Sequence, residues 1–195
     1  MEDFKMYFTE GWNHIMSSDA LDHQLFILSL AALFLWKDWR RVLVLVTAFT
    51  IGHSLTLALS VYDVIRFSIA WVEFLIPITI LLTAIYDLRY LNISKIEGRN
   101  IQFNYIIALS FGLVHGMGFA NSIRQMLASD QTIGIPLLSF NIGLEVGQIV
   151  LILLILLIAQ LLVVNVKLPR KYWILLLSVI PLILSLRMAL ERIPF

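Results

Sequence analysis

The chain has 195 residues, of which 60% are hydrophobic and 14% are charged, with a formal net charge of +1 and no cysteine. Soluble domains carry about 25% charged residues, so this composition predicts a membrane protein. The small net charge provides no basic surface for nucleic acid, and the lack of cysteine excludes disulfides, iron–sulfur clusters and thiolate metal sites. Histidine, aspartate and glutamate are the metal ligands that remain.

The first predicted element is an amphipathic helix over residues 4–16. Apolar residues recur there at helical spacing among charged ones, namely Phe4, Tyr7, Phe8, Trp12, Ile15 and Met16. Helices of this kind lie in the membrane interface, so residues 1–19 are expected on the outer membrane surface. His14 falls on this helix, and the sequence leaves open whether it binds a ligand.

Six apolar segments follow, each close to the roughly 20 residues that cross a bilayer. They cover residues 20–36, 42–62, 67–86, 103–123, 136–165 and 172–190. The fifth is longer than a simple span, so it must tilt or begin outside the bilayer. The predicted fold class is therefore all-α and polytopic, with a single membrane domain over 1–195 whose six-helix bundle covers 20–190.

Lysine and arginine are distributed unequally between the two sides of this bundle. The loops after the first, third and fifth spans hold nine of them: Lys37, Arg40, Arg41, Arg89, Lys95, Arg99, Lys167, Arg170 and Lys171. The other side holds five: Lys5, Arg66, Arg124, Arg187 and Arg192. Because short cytoplasmic loops are enriched in basic residues, we expect these three loops in the cytoplasm and both termini outside.

Four ionisable residues lie within the apolar segments: His53, Glu73, His115 and Glu145. A charged group in hydrocarbon costs roughly 2.5 kcal/mol or more, so such residues normally face a partner, a cavity or an ion path. In the predicted topology all four fall in the outer half of the membrane. Two imidazoles and two carboxylates suit a borderline divalent metal, so we predict that they form one metal site.

Residues near these four are expected to support the site. Asp22 and His23 lie at the outer end of the first span, where they would capture the ion. Asn141 and Gln148 lie four residues before and three residues after Glu145 on one helix face, so they would orient its carboxylate. Next to His115, the sequence has Gly116, which lets another helix approach closely. The alternative is that all these polar groups only bond helices to one another.

Five motifs together resemble the HupE/UreJ family of bacterial membrane proteins: LDHQLFILSL, FTIGHSLTLAL, VEFLIPITI, FGLVHGMGFA and FNIGLEVGQ. The resemblance covers about residues 10–190 and implies a bacterial inner-membrane protein that acts as a nickel permease or as an accessory protein of hydrogenase and urease. The family's Asp-His pair matches Asp22 and His23, and its intramembrane His-Gly matches His115 and Gly116.

The chain departs from the nickel-associated branch of that family around its His-Gly pair. That branch has a second histidine and a glutamate flanking the pair, whereas the nearby positions here are Gly112 and Gly118. Imidazoles and carboxylates suit nickel, cobalt, zinc and iron alike, so these residues do not select one metal.

The expected function is uptake or binding of a divalent transition metal, nickel first and zinc next. One rival is a metal-dependent intramembrane hydrolase, in which three protein ligands and a water hold zinc. The other is an accessory or scaffold protein that transports nothing. We lean against an enzyme. The expected partners are the metal ion and the lipid bilayer, without nucleic acid, and assembly of the chain with copies of itself is left open.

Overall fold

The computed structural model describes residues 2–91, 101–126 and 133–194, and these form seven α-helices with no strand among them. The helices are α1 (Glu2–Met16), α2 (Leu21–Ala31), α3 (Trp39–Val61), α4 (Ile69–Leu88), α5 (Ile101–Met126), α6 (Gly134–Ala159) and α7 (Arg170–Glu191). Short 3-10 turns at Ser18–Ala20 and Trp36–Asp38 precede α2 and α3, and α6 continues as a π-helix over Gln160–Asn165. The predicted all-α fold class is confirmed for these residues.

Among the described residues, four helices are long and apolar enough to cross a membrane. They are Trp36–Val61, Ile69–Leu88, Gly134–Asn165 and Arg170–Glu191, and they match the second, third, fifth and sixth predicted spans. The fourth predicted span corresponds to α5, of which only the shorter stretch Asn104–Ala120 lies within the fully described part of the helix. Six spans therefore stay a prediction. Of the basic residues used to orient the chain, Lys95, Arg99 and the Arg124 side chain lie outside the described parts.

The first predicted span, 20–36, is helical only over Leu21–Ala31, which has 11 residues. At about 1.5 Å per residue this helix is about 16 Å long, roughly half the thickness of a bilayer core. Most of its apolar side chains are covered by protein, as for Leu25 and Phe26, each 1% exposed. The helix α2 packs against α4, α6 and α7, so protein surrounds most of it.

The predicted N-terminal helix is present as α1, and it packs closely against α6. A Cβ atom at Gly11 would collide with the carbonyl oxygen of Phe140, and one at Gly143 would collide with that of Phe8. The side chain of Tyr7 is fully buried. Protein therefore covers part of the apolar face of α1, while its place at the outer membrane surface stays a prediction.

The backbones of α3 and α5 are also in contact, through glycines of α5. A Cβ atom at Gly112 would collide with the carbonyl oxygen of Phe49, and one at Gly116 would collide with that of His53. Moving from the first contact to the second advances four residues along each helix, so α3 and α5 run parallel. This agrees with their predicted places as alternate spans, and it gives Gly112 and Gly116 a packing role.

Candidate metal centre

The four histidines of the chain meet at one place, and each comes from a different helix: His14 from α1, His23 from α2, His53 from α3 and His115 from α5. One ring nitrogen from each of His14, His23 and His53 lies within 4.8 Å of the other two. The ring centre of His23 is 4.8 Å from that of His14, 6.0 Å from that of His53 and 5.0 Å from that of His115. His23 therefore lies in the middle of this four-histidine group.

The four-histidine group is enclosed and rich in unsatisfied nitrogen atoms. His23, His53 and His115 are 4%, 0% and 1% exposed. Five ring nitrogens are buried without a hydrogen-bond partner among the described residues: Nε2 of His14, His23 and His115, and both nitrogens of His53. A buried polar atom without a partner costs about 1–3 kcal/mol. A cation bound by these lone pairs would remove much of that cost, so the residues fit a metal ion.

Asp22 holds the ring of His23 in place. Its Oδ1 atom lies 2.9 Å from Nδ1 of His23 and also accepts the backbone N–H of His23 at 2.8 Å. An ionised carboxylate only accepts, so Nδ1 carries the proton and Nε2 keeps its lone pair for a metal. The sequence predicted Asp22 as a capturing ligand, whereas these contacts give it an orienting role.

A backbone carbonyl orients His115 in the same way. Nδ1 of His115 lies 2.8 Å from the carbonyl oxygen of Phe111, one helical turn earlier. Since a carbonyl oxygen only accepts, Nδ1 donates and Nε2 again keeps its lone pair. Two of the four imidazoles are therefore fixed in the tautomer that presents Nε2 to a metal.

Aromatic side chains surround the four-histidine group and exclude water from it. The ring of Phe119 lies 4.1 Å from that of His14, and the ring of Phe49 lies 5.2 Å from that of His115, measured between centres. Burial first, and then the neighbouring His23, lower the pKa of His14 from its ordinary value of 6.5 to about 3, although the charge of Asp22 opposes this. His14 is therefore a neutral imidazole at physiological pH, the form that binds metals.

Neither of the two predicted glutamate ligands belongs to the four-histidine group. Glu73 is exposed on α4, in a groove that it shares with Glu191 and Arg192. Glu145 is half-buried and accepts a hydrogen bond from Thr47 Oγ1 at 2.8 Å. The structure brings His53 and His115 together and leaves both glutamates elsewhere. The physical reason is that membrane depth fixes the height of a residue but not the helix face from which it projects.

The two predicted polar supporting residues lie in different places. One is beside the histidines, and the other takes part in a polar contact between α3 and α6. Asn141 lies beside His53; its amide nitrogen donates to a carbonyl one turn earlier at 2.8 Å, and its Oδ1 is buried without a partner among the described residues. Gln148 instead accepts a hydrogen bond from Thr50 at 2.9 Å. Thr50–Gln148 and Thr47–Glu145 bond α3 to α6, as the structural alternative predicted.

A sequence pattern around His14 indicates that it faces the protein interior. The expectation that α1 lies on the membrane surface left this pattern unused. His14 lies seven residues after Tyr7 and three after Gly11, so all three share one helix face. Tyr7 and Gly11 are both buried against the rest of the bundle. A histidine on the face that packs against protein is a better ligand candidate than one in the interface with water.

Apolar helices of spanning length, with three imidazoles whose ring nitrogens lie within 4.8 Å of one another and a fourth imidazole beside them, define a membrane protein with a candidate transition-metal centre. The profile of HupE/UreJ proteins matches residues 1–191, and the chain belongs to that family. The resemblance drawn from the five motifs is thereby confirmed. No curated protein and no solved structure shows a significant match to the chain.

Proposed function

We propose that the protein binds a divalent transition metal at the four-histidine group and takes it up across the bacterial inner membrane. The observation that supports this is the meeting of four imidazoles from four helices, with five buried ring nitrogens that have no described partner. Imidazole suits nickel, cobalt, copper and zinc, whereas magnesium and calcium prefer oxygen ligands. The resemblance to nickel-associated proteins puts nickel first, and zinc is the next candidate.

The spacing of the nitrogens is compatible with a bound ion after a small contraction. Imidazole binds such metals at about 2.0–2.1 Å, which puts neighbouring nitrogens of a tetrahedral site about 3.3 Å apart. The ring nitrogens of His14, His23 and His53 lie within 4.8 Å of one another. Small rotations of these side chains would close the difference, with no change in the helix backbones.

Two observations favour this function over its rivals. A zinc hydrolase needs a carboxylate beside the metal to act as a base. Neither Glu73 nor Glu145 belongs to the group, so neither is positioned as the base of such an enzyme. A scaffold role accounts for the bond between Thr50 and Gln148 at 2.9 Å. It does not account for imidazole nitrogens that bond to nothing in the described parts of the chain.

The proposal includes six spans with both termini outside and α1 at the outer surface. Two contacts support the arrangement of the spans, and neither of them concerns α1. The Arg170 guanidinium donates to the carbonyl oxygen of Leu33 at 2.6 Å, so the start of α7 and the residues after α2 meet at one end of the bundle. The parallel course of α3 and α5 fits alternating spans. The nine basic residues then lie on the cytoplasmic side.

Metal titration of the detergent-purified protein tests the proposal. We expect the wild type to bind nickel, and His115→Ala to lose at least roughly tenfold in affinity, which is about 1.4 kcal/mol. The matched control is Glu73→Gln, which removes an intramembrane charge outside the group and should leave affinity unchanged. Circular dichroism checks that each variant is folded. Equal binding of nickel, cobalt and zinc by all three proteins, or no binding by any, would refute the proposal and favour the scaffold.

A further inference from the structure

A cavity of ≈ 590 Å³ opens at the end of the bundle where α3 connects to α4. Ser60 of α3 and Met117 and Ala120 of α5 form part of its wall, and Asp63 and Arg66 lie in the connection beside it. In the topology proposed above this end of the bundle faces outward. The cavity is therefore on the side from which a metal would arrive.

A row of polar side chains on α3 extends from Ser60, in the cavity wall, towards the four-histidine group. Ser60, Thr56 and His53 are separated by four and three residues, so they lie on one face of α3. All three are buried, with 6%, 7% and 0% of their surfaces exposed. At about 1.5 Å per residue, Ser60 lies about 10 Å from His53 along the helix axis. Two hydroxyl oxygens thus lie between the cavity and the nearest imidazole.

The approach from the side of α1 is closed. The backbones of α1 and α6 touch at Gly11 and Gly143, where a Cβ atom would collide with the opposite chain. The ring of Phe119 lies 4.1 Å from that of His14, so no gap is left between them. An ion passing there would have to separate two closely packed helices. The polar row along α3 also passes a close contact, because a Cβ atom at Gly116 would collide with Thr56 Oγ1 and the carbonyl oxygen of His53. The atoms that line this passage are oxygens, however, which can replace water around a cation, whereas the described contacts between α1 and α6 at Gly11 and Gly143 offer no such side chains.

The chemistry of the cavity suits the passage of a cation rather than its retention. Asp63 and Arg66 form an exposed ion pair, so the carboxylate at this site already has a cationic partner. The oxygens of Ser60 and Thr56 are neutral, and Thr56 Oγ1 donates its proton to the carbonyl oxygen of Leu113 at 2.8 Å. The lone pairs of such hydroxyls replace water around a divalent ion without binding it as tightly as carboxylates would.

We infer that this cavity is the access route by which a divalent transition-metal cation reaches the four-histidine group, with Ser60 and Thr56 as successive oxygen contacts. The inference rests on the proposed function. A residue on a route alters the rates of association and dissociation together, because it changes the barrier between the two ends. A ligand alters the equilibrium affinity. This difference makes the route testable separately from the site.

The chain has no cysteine, so Ser60→Cys supplies a single thiol in the cavity. The purified variant is modified with a cationic thiosulfonate reagent, and nickel association is followed by stopped flow. We expect modification to slow both association and dissociation at least roughly tenfold, with little change in Kd. Ser68→Cys is the matched control, since Ser68 lies at the start of α4 in the neighbouring groove with Glu73. Its modification should leave both rates unchanged.

Ala120→Cys, which places a thiol on the α5 wall of the same cavity, replaces Ser60→Cys if that variant does not fold. An unchanged association rate after complete modification, checked by mass spectrometry, would overturn the access route. So would a thiol that fails to react in the folded protein, or a loss of affinity without a change in association rate. A wild type that binds no nickel would instead overturn the proposed function, and the route with it.

Discussion

Asp22 and His23 form the most local part of the site, because an orienting group and its ligand are successive residues. Asp22 lies in the first turn of α2, where the helix dipole stabilises a negative charge. Its Oδ1 accepts from both the ring and the backbone N–H of His23. The pair therefore fixes one imidazole without help from another helix. The polar side chain beside His53, in contrast, is Asn141, which comes from another helix, α6.

The lowered pKa of His14 predicts how the stability of the protein depends on pH. Its pKa is about 3 in the folded protein, and it returns to about 6.5 when the chain unfolds. Above pH 6.5 both states are neutral at this residue, so it contributes nothing to the dependence. Below about 6.5 the unfolded chain takes up a proton that the folded protein does not, so the free energy of unfolding falls as the pH falls towards 3.

We therefore expect the Tm of the metal-free protein to decrease between about pH 6.5 and 4 more steeply in the wild type than in His14→Phe, because phenylalanine does not titrate. Differential scanning fluorimetry in detergent measures the Tm of both proteins at each pH. Nickel should reduce the difference by occupying the lone pairs. Parallel curves for the two proteins would show that His14 is not held as a buried neutral imidazole.

At the scale of the helices, continuous apolar runs predicted α3, α4, α6 and α7 well, because each run is long enough to span. For the first predicted span the same signal overestimated the length of the helix, which covers only Leu21–Ala31. Apolarity alone does not distinguish burial in protein from exposure to lipid. It also could not place Glu73 and Glu145, because their faces depend on how each helix is rotated. The sequence could predict only that histidines of different spans lie at a similar depth in the membrane. It could not predict that His14 joins them, because that depends on how α1 packs against α6.

Gly116 and Gly118 provide a matched pair of substitutions in α5. A Cβ atom at Gly116 would collide with the carbonyl of His53 and the side chain of Thr56. One at Gly118 would meet only side-chain ends, those of Ile76 at 3.2 Å and Val72 at 3.5 Å. Gly116→Ala should therefore destabilise the protein by roughly 1–3 kcal/mol. It should also weaken nickel binding, because His53 would be displaced.

Gly118→Ala should remain close to the wild type in both properties. Thermal unfolding and nickel titration of the two variants provide the comparison. If both variants lost stability and affinity to the same extent, helix propensity or lipid contact would explain the result better than the contact between α3 and α5. The prediction thus tests whether the spacing of two helices positions a ligand.

For the whole molecule, the short helix α2 explains how four histidines can meet in a protein of this size. The most closely packed helix pairs are α1 with α6, α3 with α5, and α4 with α7. The helix α2 packs against α6 of the first pair and against both helices of the third pair. A short buried helix leaves room at its start, so His23 lies where α1, α3 and α5 also present a histidine.

The orientation of the molecule decides whether the cavity beside Ser60 is a route inward. Tyr62, 56% exposed, follows α3 at the cavity end, and Lys37, also exposed, precedes α3 at the opposite end among the basic residues. In spheroplasts, a membrane-impermeant maleimide should label Tyr62→Cys directly and Lys37→Cys only after permeabilisation, because basic loops stay in the cytoplasm. The chain has no other thiol to confuse the result. The reverse pattern would place the cavity on the cytoplasmic side, and the same polar row would then release metal from the histidines into the cell.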